Sequence, residues 1–541
     1  MKMHTALACG IRDLGVGHLF GLAGDANLFF LHSIVQNGRV KYIAAPHEAS
    51  AVAMASGFAR ASGGLGVATV THGPGLTNTM TALVEAVKSS VPLLVICGDT
   101  PADARQHLQD IRQQMLVESV GAGFQQVHSA ETAVEDLAFA AHLALVQSMP
   151  VVLNVPLHLQ DADIQYSPPE PLSFQIRRTI DLDAVDRALG VIASARRPLI
   201  LAGRGAIGAG ESLVHLARRL GAPIATSLLA KGLFQGEVGN LGIFGSFSTP
   251  GALEVIAKSD CVIAFGCSFS GHTTVNGSLL GGKSVVQCDI DQYQLGKWVP
   301  ITEGVAGDSE TIAKAMLDWL IEADHGPSGF QVEAANILAS YVVGERPDRS
   351  TDEAIDIRTF VRELDSMLPK ARQLVFDGGR FIVETSRKLS IQHPGDLIWP
   401  LGFGAIGLGM GTAVGASLAR REITTVALVG DGGFMIGGIL DLNTAVQHRL
   451  GLIVILFNDG SYGAEFVQLV QRGLDPGVSM NAWPDLSSAA QAFGASTVVV
   501  QRLSDLTSLR SALDTRAHDE TLFVEVRLNP DHVPDKYEPD R

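Results

Sequence analysis

Two short segments carry side chains suited to holding a metal and a phosphate. Val429-Gly430-Asp431-Gly432-Gly433-Phe434 ends the apolar run 425–429, and Phe457-Asn458-Asp459-Gly460-Ser461-Tyr462-Gly463 ends the run 452–457. Apolar, β-branched runs of this kind read as buried parallel strands. A polar group just past each lies at the carboxyl edge of a sheet, where open α/β folds bind ligands. Asp431, Asn458 and Asp459 offer oxygen donors, which suits Mg²⁺ or Ca²⁺ rather than zinc. The flanking glycines let backbone N–H groups approach a phosphate closely. A lone acid between glycines is also an ordinary tight turn. The second strand end, with its own amide and acid, is what turns the pattern toward a site.

Glu48 is the next chemistry-bearing position, the only ionisable side chain between His47 and Arg60. The helix expected over 49–60 consists, up to its closing Arg60, of Ala, Val, Met, Ser, Gly and Phe, so it is apolar almost all round and buried. An isolated buried carboxylate is costly without a partner. It is either a first-turn acid favoured by the helix dipole or a carboxylic acid of raised pKa poised for proton transfer.

The elements that position these groups alternate helix and strand. Residues 1–165 hold strand signals at 18–22, 42–45, 66–70, 92–98 and 150–156 with helices between them, the βαβ rhythm of a parallel sheet. A Pro-rich linker, 166–171, ends that domain. A second domain is expected over 180–325. It opens on the strand 197–202 and a literal G-x-G-x-x-G, Gly203-Arg204-Gly205-Ala206-Ile207-Gly208. A dinucleotide fingerprint wants an acid ending the next strand, but 222–226 runs into Ser227-Leu228, so the motif reads as plain strand-to-helix packing. Polar stretches at 326–329 and 344–352 form a second linker. A third domain spans 355–530, and the tail 529–541 reads as an extended surface segment. Ala53–Arg60 is echoed by Ala413–Arg420, each followed by a strand and a glycine turn, suggesting two outer domains of one fold.

Composition narrows the function classes. A chain of 541 residues exceeds one core. A formal charge of −16 argues against nucleic acid or anionic membrane as partner, and no uncharged apolar span of about 18 residues suggests a membrane crossing. Five scattered cysteines without metal-ligand spacing read as reduced residues of a cytoplasmic protein.

Taken together, G-D-G followed by N-D-G resembles the thiamine diphosphate signature. Pro46-His47-Glu48-Ala49-Ser50-Ala51 with Gly57-Phe58-Ala59-Arg60 resembles acetolactate synthases and the related 2-oxo acid decarboxylases such as benzoylformate and pyruvate decarboxylase. The resemblance runs along nearly the whole chain. It implies a thiamine diphosphate-binding fold in both outer domains, pyrimidine-binding at 1–165 and diphosphate-binding at 355–530, around a Rossmann-like middle domain. It implies thiamine diphosphate and Mg²⁺ as cofactors, with Asp431, a second ligand and a backbone carbonyl on the metal. Aligning the Gly460–Gly463 ending gives Asp459 and the Ser461 carbonyl, whereas counting from Asp431 gives Asn458. Asp459 is preferred, because Met435–Gly438 looks one residue longer than the family's usual connection. Gly430, Gly432, Gly433, Tyr462, Gly463 and Ala464 would surround the diphosphate. Gly404 would accept from the cofactor's amino group, Ile406 would wedge its rings, and Glu48 would promote the tautomer that deprotonates C2.

Asp25 matches an aspartate that assists protonation in decarboxylases and reads equally as a turn residue. His72 stands where the family has serine, facing substrate or capping a turn, and Gln109 matches a glutamine lining the active site. The implied chemistry is loss of CO₂ from a 2-oxo acid to give an enamine, which is protonated to an aldehyde or added to a second carbonyl. The alternative is a lyase cleaving a 2-hydroxyketone or 2-hydroxyacyl-CoA; from another class, an NAD-linked oxidoreductase would use Gly203, Gly205 and Gly208. The family also implies a homodimer or homotetramer with active sites at the subunit interface. Departures concern the substrate. Ala464, with Glu465 beside it, takes the place of a decarboxylase glutamate. The paired histidines of those enzymes are missing, with only His107 nearby. Gly242–Ser246 is too loose a match to carry FAD.

Overall fold

The computed structural model describes residues 1–104, 106–170, 180–341 and 347–534. Three six-stranded parallel sheets flanked by helices are built on inner strands that are short runs of Val, Ile, Leu and Ala buried on both faces. The N-terminal sheet consists of β1 (His18–Gly21), β2 (Lys41–Ala44), β3 (Gly66–Val70), β4 (Leu93–Asp99), β5 (Gly123–Gln126) and β6 (Pro150–Pro156), ordered β2-β1-β3-β4-β6-β5. The central sheet has β7 (Pro198–Ala202), β8 (Ile224–Thr226), β9 (Asn240–Ile243), β10 (Cys261–Phe265), β11 (Ser284–Asp289) and β12 (Glu303–Ala306). Its order, β12-β11-β10-β7-β8-β9, is that of a doubly wound dinucleotide-type sheet. The C-terminal sheet has β13 (Arg372–Phe376), β14 (Leu397–Ile398), β15 (Thr424–Gly430), β16 (Ile453–Asn458), β17 (Ser496–Val500) and β18 (Leu522–Arg527). It is ordered β14-β13-β15-β16-β18-β17, strand for strand the pattern of the N-terminal sheet. The faint sequence echo therefore marks two copies of one topology.

Both outer sheets, including Arg349–Ile382 and Ile398–Val533, belong to one compact unit; the central sheet belongs to a second, with Val383–Leu397. Within the first unit the two echoing helices, Glu48–Ser62 and Gly409–Ala419, lie against each other. Their backbones nearly touch. A Cβ on Gly57 would fall 2.0 Å from the Thr412 carbonyl oxygen, and one on Gly415 would fall 1.8 Å from that of Met54. The small-residue composition that reads as a buried helix thus has a definite cause, a crossing too close for side chains.

The connection after β3 forms two helices, Pro74–Thr77 and Met80–Lys88, and the tail begins with a short 3₁₀ turn, Pro530–His532. Residue 171 of the first linker, residues 344–346 of the second and residues 535–541 of the tail lie outside the described residues. All five cysteines are unpaired. Among the described residues no helix is long and apolar enough to cross a membrane.

Candidate active site

The carboxyl edge of the C-terminal sheet gathers the metal and phosphate candidates. Asp431 follows β15, and Asn458 ends β16, so adjacent strands deliver them together. Asp431 is buried. Its Oδ1 accepts from Gly432 N–H at 2.9 Å; its Oδ2 accepts from Gly460 N–H and from Trp483 Nε1–H, each at 2.9 Å. Burial, reinforced by the nearby Asp459 charge, pushes the Asp431 carboxyl up to about 7. Two carboxylates crowded at one strand edge would favour a cation between them. Among the described residues no three His, Cys, Asp or Glu side chains converge on a metal position. That donor set suits Mg²⁺, which takes one or two carboxylates and fills the remainder with phosphate oxygens and water.

Asn458 and Asp459 are turned to different tasks. Asn458 donates through Nδ2 to Glu525 Oε1 at 2.9 Å and accepts from Gly460 N–H. Asp459 accepts at Oδ1 from the N–H and hydroxyl of Ser461 and at Oδ2 from Arg380 Nη2 at 2.9 Å. The Met435–Gly438 connection lies in a π-helical turn, Phe434–Gly438, a wider turn than the α-helix, often found at functional sites. The glycines of this edge make room for protein. A Cβ on Gly432 would lie 2.7 Å from the Tyr462 ring, one on Gly433 2.7 Å from Asp377 Oδ2, and one on Gly463 2.5 Å from Arg380 Nε. Ala464 and Glu465 are exposed in the first turn of the helix Gly463–Gln471.

Asp377, just past β13, was not singled out from sequence. It is fully buried and accepts from the N–H groups of Gly378 and Gly407. Burial lifts its carboxyl to about 6. It thereby pins the turn carrying Gly404 and Ile406 against the Asp431 turn. Gly404 is exposed, with φ +78°. Trp483 and Arg380, which hold Asp431 and Asp459, were also unforeseen. Asp377 did carry a signal, since Val375-Phe376-Asp377-Gly378-Gly379 repeats the strand-then-acid-then-glycine form of Val429–Gly433.

The second group gathers at the carboxyl edge of the N-terminal sheet. Glu48 opens its helix, nearly buried, with His47 as the cap and Oε2 accepting from Asn78 Nδ2 at 3.0 Å. The turn after β3 brings His72, fully buried, to His107: Nε2 and Nδ1 are 3.4 Å apart and the rings 4.9 Å. Two loops supply one histidine each to this contact. Burial, and then His107, lowers the His72 pKa, partly offset by Asp99, Asp25 and Asp110. Asp25 is exposed on its turn, which Asn27 ties to β3 through Thr69. Gln109 sits against the turn after β3, where its backbone oxygen would meet a Gly73 Cβ at 2.3 Å, and its side-chain oxygen is buried without a hydrogen-bond partner. A cavity of about 540 Å³ opens beside this loop, lined by Asp99, Asp110, Arg112, Gln113, Gln126 and Asn154 among others.

In the central domain, Gly203 and Gly205 serve the fold. A Cβ on Gly203 would lie 2.1 Å from the Gly266 carbonyl oxygen, and one on Gly205 2.9 Å from Gly266 Cα. The space a dinucleotide phosphate would need against these two glycines is filled by the loop after β10.

Known proteins align with both edges. Residues 1–120 match the family model for the N-terminal TPP binding domain of thiamine pyrophosphate enzymes, 185–316 that for their central domain, and 377–526 that for their C-terminal TPP binding domain. The chain is 26% identical over 519 residues to a probable acetolactate synthase large subunit of Methanocaldococcus jannaschii, covering 91% of this chain and 86% of that one. It is 27% identical over 554 residues to the acetolactate synthase isozyme 3 large subunit of Escherichia coli, covering 98% and 96%. It is 26% identical over 509 residues to a probable 2-ketoarginine decarboxylase of Pseudomonas aeruginosa, covering 93% and 90%.

Proposed function

The chain belongs to the thiamine pyrophosphate enzymes, in the group of acetolactate synthases and 2-oxo acid decarboxylases, and from that premise we propose that it decarboxylates a 2-oxo acid with thiamine diphosphate and Mg²⁺, releasing an aldehyde or joining the remainder to a second carbonyl. The observation that carries the reading is the pairing of Asp431 and Asp459 at neighbouring strand ends, where one carboxyl is raised by burial and by the other's charge.

Thiamine diphosphate, when bound, supplies a nucleophilic carbon and an electron sink for the departing CO₂. The chain's own groups hold and protonate. Asp431, Asp459 and the Ser461 carbonyl would hold the metal, with Asn458 bracing the turn through Glu525. The Gly430–Gly433 turn and residues Tyr462–Ala464 would surround the diphosphate. Gly404 and Ile406, held by Asp377, would orient the ring end. Glu48 Oε1 is left for proton exchange with the ring, because Oε2 accepts from Asn78. Gln109 N–H donates to His107 Nδ1 at 3.3 Å. That nitrogen is therefore an acceptor, so His72 Nε2 carries the shared proton and His107 keeps its own on Nε2. Ordered this way, the pair could pass a proton to product, with Asp25 setting the local charge.

Glu48 and Asp431 find their hydrogen bonds in separate domains, and we assign completion of each site to a second copy, in a homodimer or homotetramer. Ala464 and the polar cavity beyond β4 fit a substrate bulkier and more polar than pyruvate. The five unpaired cysteines accord with a reducing, cytoplasmic setting. The test is a panel of 2-oxo acids, with and without acceptor aldehydes, read by mass spectrometry for CO₂ and product. Cofactor-dependent turnover of at least one acid is expected; turnover of 2-hydroxyketones or 2-hydroxyacyl-CoA alone would replace this reading with the lyase.

A further inference from the structure

We propose that Arg380 makes metal binding conditional on the diphosphate: its fixed positive charge weakens the site for a free divalent cation and strengthens it for the anion. The inference rests on the reading of Asp431 and Asp459 as the metal carboxylates. Arg380 lies on the loop after β13 and is nearly buried. Its Nη2 donates to Asp459 Oδ2 at 2.9 Å, its Nη1 donates to the Val533 carbonyl at 3.2 Å, and its guanidinium lies 5.2 Å from the Phe466 ring centre. Its Nε is buried without a hydrogen-bond partner, against Gly463, where a Cβ would come within 2.5 Å. The side chains of Arg380 and Asp459 are only 6% and 11% exposed, so solvent screens their charges poorly.

A guanidinium stays charged at any physiological pH. With it, two ionised carboxylates leave the site at net −1 instead of −2. A divalent cation arriving alone must share Asp459 with a cation already bonded to it. A diphosphate arriving alone meets one positive charge that offsets part of the carboxylate repulsion. When both arrive, each offsets the charge the other finds unfavourable, so each raises the other's affinity by the same factor. Arg380 acts through Asp459 and through its field, as a positioning residue.

The test uses the full-length chain, with Mn²⁺ as the metal probe and inorganic pyrophosphate as the anion, each titrated alone and with the other by calorimetry. Arg380→Gln should bind free Mn²⁺ about tenfold more tightly and metal-free pyrophosphate about tenfold more weakly, the size expected for a partly buried unit charge nearby. Arg380→Lys keeps the charge and should stay near the parent chain in both. Opposite shifts support the proposal, since a merely damaged site loses both affinities together. A joint loss in Arg380→Gln that Arg380→Lys shares, or no change in either affinity, would overturn it. If the parent chain takes up no Mn²⁺ even with pyrophosphate present, the assignment of Asp431 and Asp459 fails first, a result distinct from the other two.

Discussion

Replacing Asp441 by Asn should make the protein more stable in alkali and less stable in acid. Asp441 lies in the helix Ile439–Gln447, fully buried, where it meets Gly411 and Ser50 of the two crossing helices. One carboxyl oxygen has no hydrogen-bond partner. Burial lifts the carboxyl from 3.8 to about 7, against smaller opposing effects of Ser50 and Gly411. A folded value above the unfolded one means that stability is fully present below pH 3.8 and is lost as pH rises through about 7. At about 1.4 kcal/mol per pH unit, the loss reaches about 4 kcal/mol by pH 8. Asn cannot ionise and escapes that loss, but it leaves an amide N–H unpaired, at about 1–3 kcal/mol. A net gain of about 1–3 kcal/mol at pH 8 is therefore expected, whereas at pH 4.5, where ionisation costs the parent only about 1 kcal/mol, the variant should be about 0–2 kcal/mol less stable. Thermal midpoints of Asp441→Asn and the parent chain, compared at both pH values, provide the assay. Asp431 and Asp377 titrate in both proteins, so their effects cancel in the difference. A difference that does not change with pH would refute the reasoning.

Two further expectations follow from the outer domains. Gly415→Ala should lower stability by about 1–3 kcal/mol, because the new methyl meets the Met54 carbonyl oxygen at 1.8 Å and must force the helices apart; an unchanged thermal midpoint would show that the crossing is not tight. Glu48→Gln and Asp431→Ala should each be nearly inactive, yet mixing them after dissociation should restore up to about a quarter of parent activity, since about half of the dimers are then mixed and each of those has one intact site of two. No recovery would place Glu48 and Asp431 in the same copy's site.

Much of this site could be read from sequence because its parts are local. Asp431 and the Asn458-Asp459 pair follow unmistakable strand runs, and adjacent parallel strands had only to place them side by side. The helix after Glu48 announced its burial by composition. The residues that hold these groups are another matter. Trp483 comes from one connection and Asp377 and Arg380 from another, and they reach Asp431, Gly407 and Asp459 only once the sheet is assembled. No spacing in the chain expresses that convergence. His72 and His107 escaped pairing for the same reason, since each lies on its own loop. The G-x-G-x-x-G run shows the opposite case, a local motif whose two leading glycines answer to the backbone of Gly266.

The central claim is that Glu48 activates thiamine diphosphate held at the Asp431 edge. Hydrogen–deuterium exchange at C2 of the bound cofactor, quenched and read by NMR, tests it most directly. With Mg²⁺ present, exchange in the parent chain should far exceed that of free cofactor. Glu48→Gln should slow it by about 10²-fold or more while cofactor affinity stays within severalfold. Exchange in Glu48→Gln equal to that of the parent chain would contradict the account.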